Sequence, residues 1–159
     1  MSNLITKTDN NVDEKQYIIF TLNNEFYGID IININTIIMM PEITDVPLAP
    51  DYIKGMISLR GHVIPVIDLH KRMNYGEEII TKDTRVIVFN INENEQVGIV
   101  VDSVKEVMVI SGEEIDYPSP FIKSDESFIS GVGKKTDMLI SILDINSLVD
   151  EKAIEECVA

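Results

Sequence analysis

The stretch KGMISLRGHVIPVIDL, residues 54–69, decides the fold, because it returns in altered form as SGVGKKTDMLISILDI at residues 130–145. Both stretches carry a glycine near the start, alternate apolar residues, and end with Asp followed by an aliphatic residue. Such a return indicates that one structural unit occurs twice. At a constant offset of 76, the aligned pairs are Gly55 with Gly131, Val63 with Leu139, Ile64 with Ile140, Val66 with Ile142 and Asp68 with Asp144.

Two earlier blocks of the chain repeat in the same order. YIIF at residues 17–20 resembles RVIVF at residues 85–89, and EFYGIDIININTII from residue 25 aligns with EQVGIVVDSVKEVM from residue 95. Similar blocks in one order indicate an internal duplication of the whole folded body. The aligned pairs of the longer block are Gly28 with Gly98, Ile29 with Ile99, Ile31 with Val101, Ile34 with Val104 and Ile37 with Val107.

Each copy spans roughly 65 residues, a size at which one unit buries only about 60 % of its unfolded surface and is marginally stable. Short apolar segments between turn residues favour a barrel or a sandwich. We therefore predict an all-β fold with minor helix, in which two similar β-barrels lie in contact and share an apolar core. The predicted halves are residues 16–80 and 84–149, with a flexible polar arm at 1–15 and an acidic tail, compatible with a short helix, at 150–159.

Several segments allow more than one local structure. The isoleucines of residues 31–38 fit helical spacing as well as a buried strand. Residues 49–55 fit a single helical turn ended by Gly55, and residues 69–74 fit another. Pro65 lacks a backbone N–H donor, which favours an edge strand or a bulge for HVIPVIDL.

The charge of the chain excludes several classes of partner. Its 27 acidic and 13 basic residues give a formal net charge of −14. This excess repels phosphate backbones and anionic membranes, so we expect neither nucleic acid binding nor membrane insertion. Cys157 is the single cysteine, which excludes an internal disulfide and favours a reducing compartment. Without a secretory signal or an apolar span, the sequence predicts a soluble, cytoplasmic protein.

The sequence contains no recognisable catalytic or metal-binding motif. His62 and His70 are the two histidines, and no CxxC pair occurs. Asp68 and His70 fit a polar pair, part of a metal site or two surface residues, and the absence of a third ligand favours the surface. GVGKKT at residues 131–136 departs from the phosphate-loop template, which favours a turn between strands. We predict no enzymatic activity, no cofactor and no metal.

Arg60 lies in the SLRG turn and is one of few cations in an acidic chain. One interpretation is a surface ion pair worth about 0–1 kcal/mol. The other is an anchor of a protein interface, where Arg is enriched. The spacing alone favours neither.

Taken together, these blocks resemble the CheW family of chemotaxis coupling proteins over about residues 16–149. The most specific stretch is PLAPDYIKGMISLRGHVIPVIDL, residues 47–69, supported by FYGIDI at Phe26, VGIVVD at Val97 and FISGVGK at Phe128. The resemblance implies two pseudo-symmetric SH3-like five-stranded β-barrels with a shared apolar core. It also implies a non-catalytic adaptor, a monomer in isolation, that is recruited from the cytoplasm to membrane-associated receptor arrays.

The resemblance implies partners and contact residues as well. The expected partners are the helical hairpin tip of a chemoreceptor and the regulatory domain of the histidine kinase CheA. For the residues matched to the receptor groove, plain core packing is an equally good interpretation. The implied groove residues are Ile31, Ile34, Ile37 and Val104, and the implied partner-contact residues are Gly55, Met56 and Arg60.

Some positions depart from the family pattern. Ser58 replaces the usual Asn, His70 replaces the usual Arg, and Thr36 stands where an acidic residue often faces the Arg of the turn. These changes leave specific polar contacts open.

Different functions on a similar fold are also compatible with parts of the pattern. A CheV-type protein is disfavoured, because only a short tail follows residue 149. A pilus-signalling adaptor stays open. The net charge of −14 disfavours a small barrel that binds nucleic acid, and the absence of catalytic motifs disfavours a cryptic hydrolase.

Overall fold

A computed structural model of the chain describes residues 14–117 and 128–149. Most of these residues are in strands, with two single-turn α-helices and two 3₁₀ turns. The helices are α1 (Leu69–Arg72) and α2 (Ile145–Leu148), and the 3₁₀ turns are Ile31–Asn33 and Gly112–Glu114. The strands are β1 (Glu14–Leu22), β2 (Glu25–Asp30), β3 (Ile34–Met39), β4 (Ile53–Leu59), β5 (His62–Asp68), β6 (Arg85–Asn90), β7 (Gln96–Val101), β8 (Ser103–Ser111), β9 (Ile115–Asp116), β10 (Ile129–Lys135) and β11 (Met138–Leu143).

The strands form two sheets. Sheet A has the order β8-β1-β2-β11-β10-β9, and sheet B has the order β3-β6-β7-β5-β4. Neighbouring strands are antiparallel except β2 with β11 in sheet A and β5 with β7 in sheet B. The prediction of an all-β fold with minor helix, in which two similar β-barrels share an apolar core, is therefore confirmed.

Each sheet takes strands from both sequence repeats. Strands β1 and β2 of the first repeat join β8 to β11 of the second in sheet A, and β6 and β7 of the second join β3 to β5 of the first in sheet B. Strands at equivalent places in the two sheets are also equivalent in the repeat: β1 with β6, β2 with β7, β3 with β8, β4 with β10 and β5 with β11. The division of the sequence between residues 80 and 84 is therefore not a division between sheets.

The central strands are buried on both faces because each sheet borders two apolar clusters. In β1, Ile18 and Phe20 point into a core shared by both sheets, whereas Tyr17 and Ile19 point into a second cluster within sheet A. The equivalent strand β6 alternates in the same way between the shared core and a cluster of sheet B. Continuous apolar runs such as YIIF are typical of strands with two buried faces.

Several local expectations can be compared with this structure. Residues 31–38 form neither a continuous helix nor a continuous strand, because a 3₁₀ turn, capped by the Asp30 side chain on the Ile32 amide at 3.0 Å, precedes β3. The expected helical turn at residues 49–55 is wrong, since Ile53 already begins β4. The helical turn after Asp68 is confirmed as α1.

Strand β5, which contains Pro65, is not an edge strand, because it lies between β7 and β4. Its pairing with β7 begins only at Val66. Pro65 therefore lies before the paired part of β5 and β7, so its lack of a backbone N–H removes no hydrogen bond between these two strands. The register of the β4–β5 pair shifts between Ile53 and Gly55, so the irregularity lies in β4, and the prediction of an edge position or a bulge for the strand that contains Pro65 is wrong.

The ends of the chain are covered only in part. Strand β1 begins at Glu14, within the segment predicted as a flexible arm. Residues 1–13 and the predicted acidic tail at 150–159 lie outside the described residues.

Candidate functional site

Three of the four predicted groove residues line the rim of the shared core. Ile31, Ile34 and Val104 are partly buried and pack against this core. Ile37 is 36 % exposed, although its register opposite Ile87 places it on the face of β3 that borders the shared core. The structure therefore presents a half-buried apolar rim made of residues from both sheets, and Ile37 lies next to it on the same face of β3, with a larger part of its side chain exposed.

The duplication explains why Ile34 and Val104 lie at equivalent places. Ile34 pairs with Phe89 across β3 and β6, and Val104 pairs with Phe20 across β8 and β1. Both phenylalanines are fully buried in the shared core. Each rim residue is thus held by a strand whose neighbour is anchored in the molecular interior.

Gly55 and Met56, predicted as partner-contact residues, are buried within the chain itself. A Cβ atom on Gly55 would overlap the Thr44 carbonyl oxygen, so glycine permits the close approach of the loop before β4. The Thr44 amide donates to the Met56 carbonyl at 2.9 Å, and the Met56 amide donates to the Thr44 carbonyl at 2.8 Å. Sequence reasoning missed this contact, although the match of Gly55 to Gly131 indicated that both repeats need a small residue at this place.

Arg60, the third predicted contact residue, lies at the tip of the β4–β5 hairpin. Its backbone adopts φ 53°, its side chain is exposed, and Gly61 follows with φ 82°. Across residues 14–117 and 128–149, no carboxylate forms an ion pair with Arg60. The guanidinium group of Arg60 therefore points its donors towards solvent.

Two positions that depart from the family pattern lie in the same sheet. Thr36 is half-buried, and Ser58 is exposed on β4, opposite Val63.

The favoured interpretation of Asp68 and His70 as surface residues is wrong, because both are buried. Asp68 ends β5 and caps α1 by accepting from the Lys71 amide at 3.2 Å. His70 Nε2 lies 2.8 Å from Asp102 Oδ1, and Asp102 Oδ2 accepts from the Asn23 amide at 2.9 Å. This chain of hydrogen bonds joins α1, which follows sheet B, to the β1–β2 hairpin of sheet A.

A second polar cluster lies beside this connection. The hydroxyl groups of Tyr27 and Tyr75 are hydrogen-bonded to each other, and the Tyr27 hydroxyl donates to Glu25 Oε2 at 3.4 Å. Burial, followed by the hydrogen bond with Tyr75, raises the pKa of Tyr27 above its ordinary value. The neutral phenol is therefore the form that this interior favours.

Arg72 joins the two repeats near their symmetry-related ends. Its guanidinium carbon lies 4.5 Å from the ring centroids of both Tyr52 and Phe128, and its Nε donates to the Leu148 carbonyl at 2.9 Å. Tyr52 and Phe128 are equivalent in the repeat, as are Arg72 and Leu148. One arginine therefore contacts two aromatic residues that are equivalent in the repeat, and the offset of 76 would have identified this pair if it had been extended to these residues.

The described residues offer little for catalysis. No group of three His, Cys, Asp or Glu side chains within them is placed to hold a metal ion. Residues 131–135 of GVGKKT lie in β10, where Lys134 pairs with Asp116 and Lys135 with Glu114, and only Thr136 belongs to the turn that follows. The expected turn between strands is therefore wrong for most of this motif. None of the helices in this part of the chain has the length and apolar character needed to cross a membrane.

Comparison with known proteins gives consistent matches over most of the chain. The family model of the CheW-like domain matches residues 16–153. The chemotaxis protein CheW of Bacillus subtilis is 34 % identical over 145 residues, which cover 91 % of this chain and 92 % of that protein. The CheW of Helicobacter pylori is 34 % identical over 146 residues, with coverage of 91 % and 87 %.

The structural comparison agrees. The crystal structure of the scaffolding protein TtCheW from Thermoanaerobacter tengcongensis superposes with a TM-score of 0.74 and 38 % sequence identity. The match covers 82 % of this chain and 88 % of that structure.

Proposed function

Because the chain belongs to the CheW-like domain family of non-catalytic chemotaxis scaffolds, we propose that it couples chemoreceptors to the histidine kinase CheA. The coupling uses two docking surfaces and no chemical step. The chain acts in the cytoplasm as a monomer that joins receptor arrays at the membrane. The observation that carries the proposal is the half-buried apolar rim formed by Ile31, Ile34 and Val104 at the seam between the two sheets.

The rim suits the tip of a receptor hairpin. An amphipathic helical tip binds by laying its apolar face into a hydrophobic groove. Ile34 and Val104, which are half-buried before binding, offer apolar surface without a large ordering cost, because their backbones are fixed in β3 and β8. Ile37 extends this apolar surface along the same face of β3.

The second surface is the β4–β5 hairpin, with Arg60 at its tip. An exposed Arg that forms no ion pair with a described carboxylate is available to a partner, and arginine is enriched among residues that dominate interface energies. Gly55 and Met56 contribute indirectly, because their contact with Thr44 sets the position of β4. This surface is assigned to the CheA regulatory domain.

Titration calorimetry with the purified regulatory domain of CheA tests the kinase surface. Arg60→Ala is expected to weaken binding by about tenfold or more, the loss typical of an interface anchor. Its melting temperature should stay near that of the unchanged chain, since the side chain makes no described polar contact. Lys82→Ala is the matched control, because it removes one exposed cation elsewhere.

A fused helical hairpin that carries the receptor tip sequence tests the rim. Val104→Ser should weaken its binding, whereas Lys105→Ser, at the exposed next position of β8, should not. If the unchanged chain binds neither probe at micromolar concentration, the proposed coupling role is wrong. If both variants bind the hairpin equally well, the receptor surface lies elsewhere.

A further inference from the structure

Leu48 combines two unfavourable features in one residue. It lies in the loop between β3 and β4, where its backbone adopts φ 64°, and its side chain is fully exposed. The left-handed region is sterically unfavourable for a bulky residue such as leucine. Full exposure of a leucine side chain forgoes the free energy of apolar burial. A single exposed leucine needs no explanation, but a strained one indicates a specific requirement at this position.

The loop that contains Leu48 is attached to the rest of the fold on both sides of this residue. The paired hydrogen bonds between Thr44 and Met56 fix one end of the loop, and the Ile53 amide donates to the Pro50 carbonyl at 2.9 Å near the other. Ala49 packs against the shared core. Pro47 has a fixed φ, and Pro50 restricts the residue before it. Leu48 is therefore an exposed apolar side chain on a preorganised loop, so this loop loses little conformational entropy when a partner binds.

The charges of the same loop indicate the chemistry of the partner. Glu42, Asp45 and Asp51 are exposed, and residues 40–53 contain no basic side chain. None of these three carboxylates forms an ion pair with a described residue. A surface that receives Leu48 would therefore be complementary if it had an apolar pocket bordered by Lys or Arg.

We propose that Leu48 inserts into an apolar pocket with a basic border on the CheA regulatory domain, an inference that rests on the proposed function. The Thr44–Met56 pairing connects this loop to β4, and thus to the β4–β5 hairpin assigned above to the kinase. The receptor tip is already assigned to the rim between the sheets. A second copy of this chain would bring another acidic protein of charge −14 against three carboxylates.

The variants Leu48→Asn and Leu48→Gly give a test whose two readouts move in different directions. Asn and Gly accept positive φ more readily than leucine, so the melting temperature should be unchanged or higher. Binding of the CheA regulatory domain, measured by calorimetry, should weaken by about tenfold or more. A merely structural role for Leu48 would change both quantities in the same direction.

Leu139→Asn is the matched control, because Leu139 is also exposed but lies in the ordinary extended backbone of β11. This control should bind as the unchanged chain does, and equal losses at both positions would overturn the proposal. Raising sodium chloride from about 50 to 500 mM should weaken binding of the unchanged chain, since salt screens the carboxylates. If binding did not depend on salt, the proposed basic border of the pocket on the CheA regulatory domain would be wrong.

The proposed function and this inference fail separately. If the unchanged chain does not bind the regulatory domain, the coupling role fails. If the unchanged chain binds the regulatory domain and both Leu48 variants bind it as tightly, the coupling role stands and the proposed insertion of Leu48 is wrong.

Discussion

Replacement of Arg72 by methionine removes the contacts that join the ends of the two repeats. The guanidinium group lies 4.5 Å from the centroids of the Tyr52 and Phe128 rings and donates to the Leu148 carbonyl. Each cation–π contact is worth about 0.5–1 kcal/mol at a partly exposed site. The hydrogen bond adds about 1 kcal/mol. Methionine retains the apolar stem, so the expected loss in free energy of unfolding is about 2–3 kcal/mol.

For a domain of this size, such a loss lowers the melting temperature by roughly 4–12 °C. Urea unfolding followed by circular dichroism measures the free energy, and calorimetry measures the melting temperature. Arg72→Lys should lie between methionine and the unchanged chain, because lysine retains the charge and loses the planar stacking group and the Nε donor. Lys71→Met, at the exposed preceding position, is the control and should change stability by less than about 0.5 kcal/mol.

A free energy for Arg72→Met within about 0.5 kcal/mol of the unchanged chain would refute this reasoning. It would mean that the stacking geometry contributes no net energy, because solvation of the exposed cation compensates for it.

Two further predictions concern the interior. Gly55→Ala should destabilise the fold by about 2 kcal/mol or more, because the added Cβ overlaps the Thr44 carbonyl. Gly61→Ala is the control: its Cβ meets only open space, so it should cost about 1 kcal/mol for the positive φ alone. Equal losses of stability in urea unfolding would contradict the role of the close approach at Gly55. Because burial and the hydrogen bond with Tyr75 raise the pKa of Tyr27 above 10.0, the associated stabilisation is present below that pH and decreases above it. Between about pH 9 and 11, Tyr27→Phe should therefore lose less stability than the unchanged chain, and parallel pH profiles would contradict this assignment.

The repeat in the sequence predicted the strands and the shared core, but not the pairing of the strands. Matching YIIF to RVIVF shows that β1 and β6 are alike, and it does not show which sheet each joins. Either arrangement buries the same apolar residues, so hydrophobic pattern alone does not distinguish them. The exchange becomes visible only in the register, where Tyr17 of β1 lies opposite Met108 of β8.

The polar contacts of the site were harder to predict than the apolar ones. The equivalence of Ile34 and Val104 followed from the repeat, and their assignment to a groove followed from the resemblance to the family. The bond from His70 to Asp102 joins residues 32 positions apart, and neither residue type indicates the other. The positive φ of Leu48 was equally hidden, since leucine lacks the tolerance of asparagine for positive φ, which Asn23 and Asn24 show in the β1–β2 turn.

The exchange of strands between sheets has a consequence for synthesis on the ribosome. Among the described strands β1 emerges first, yet Tyr17 pairs with Met108, about 90 residues later in the chain. At the usual elongation rate this interval lasts roughly 5–20 seconds. Throughout it, the nascent β1–β2 hairpin has no partner on either side, and its YIIF segment is exposed to chaperones and to other newly made chains.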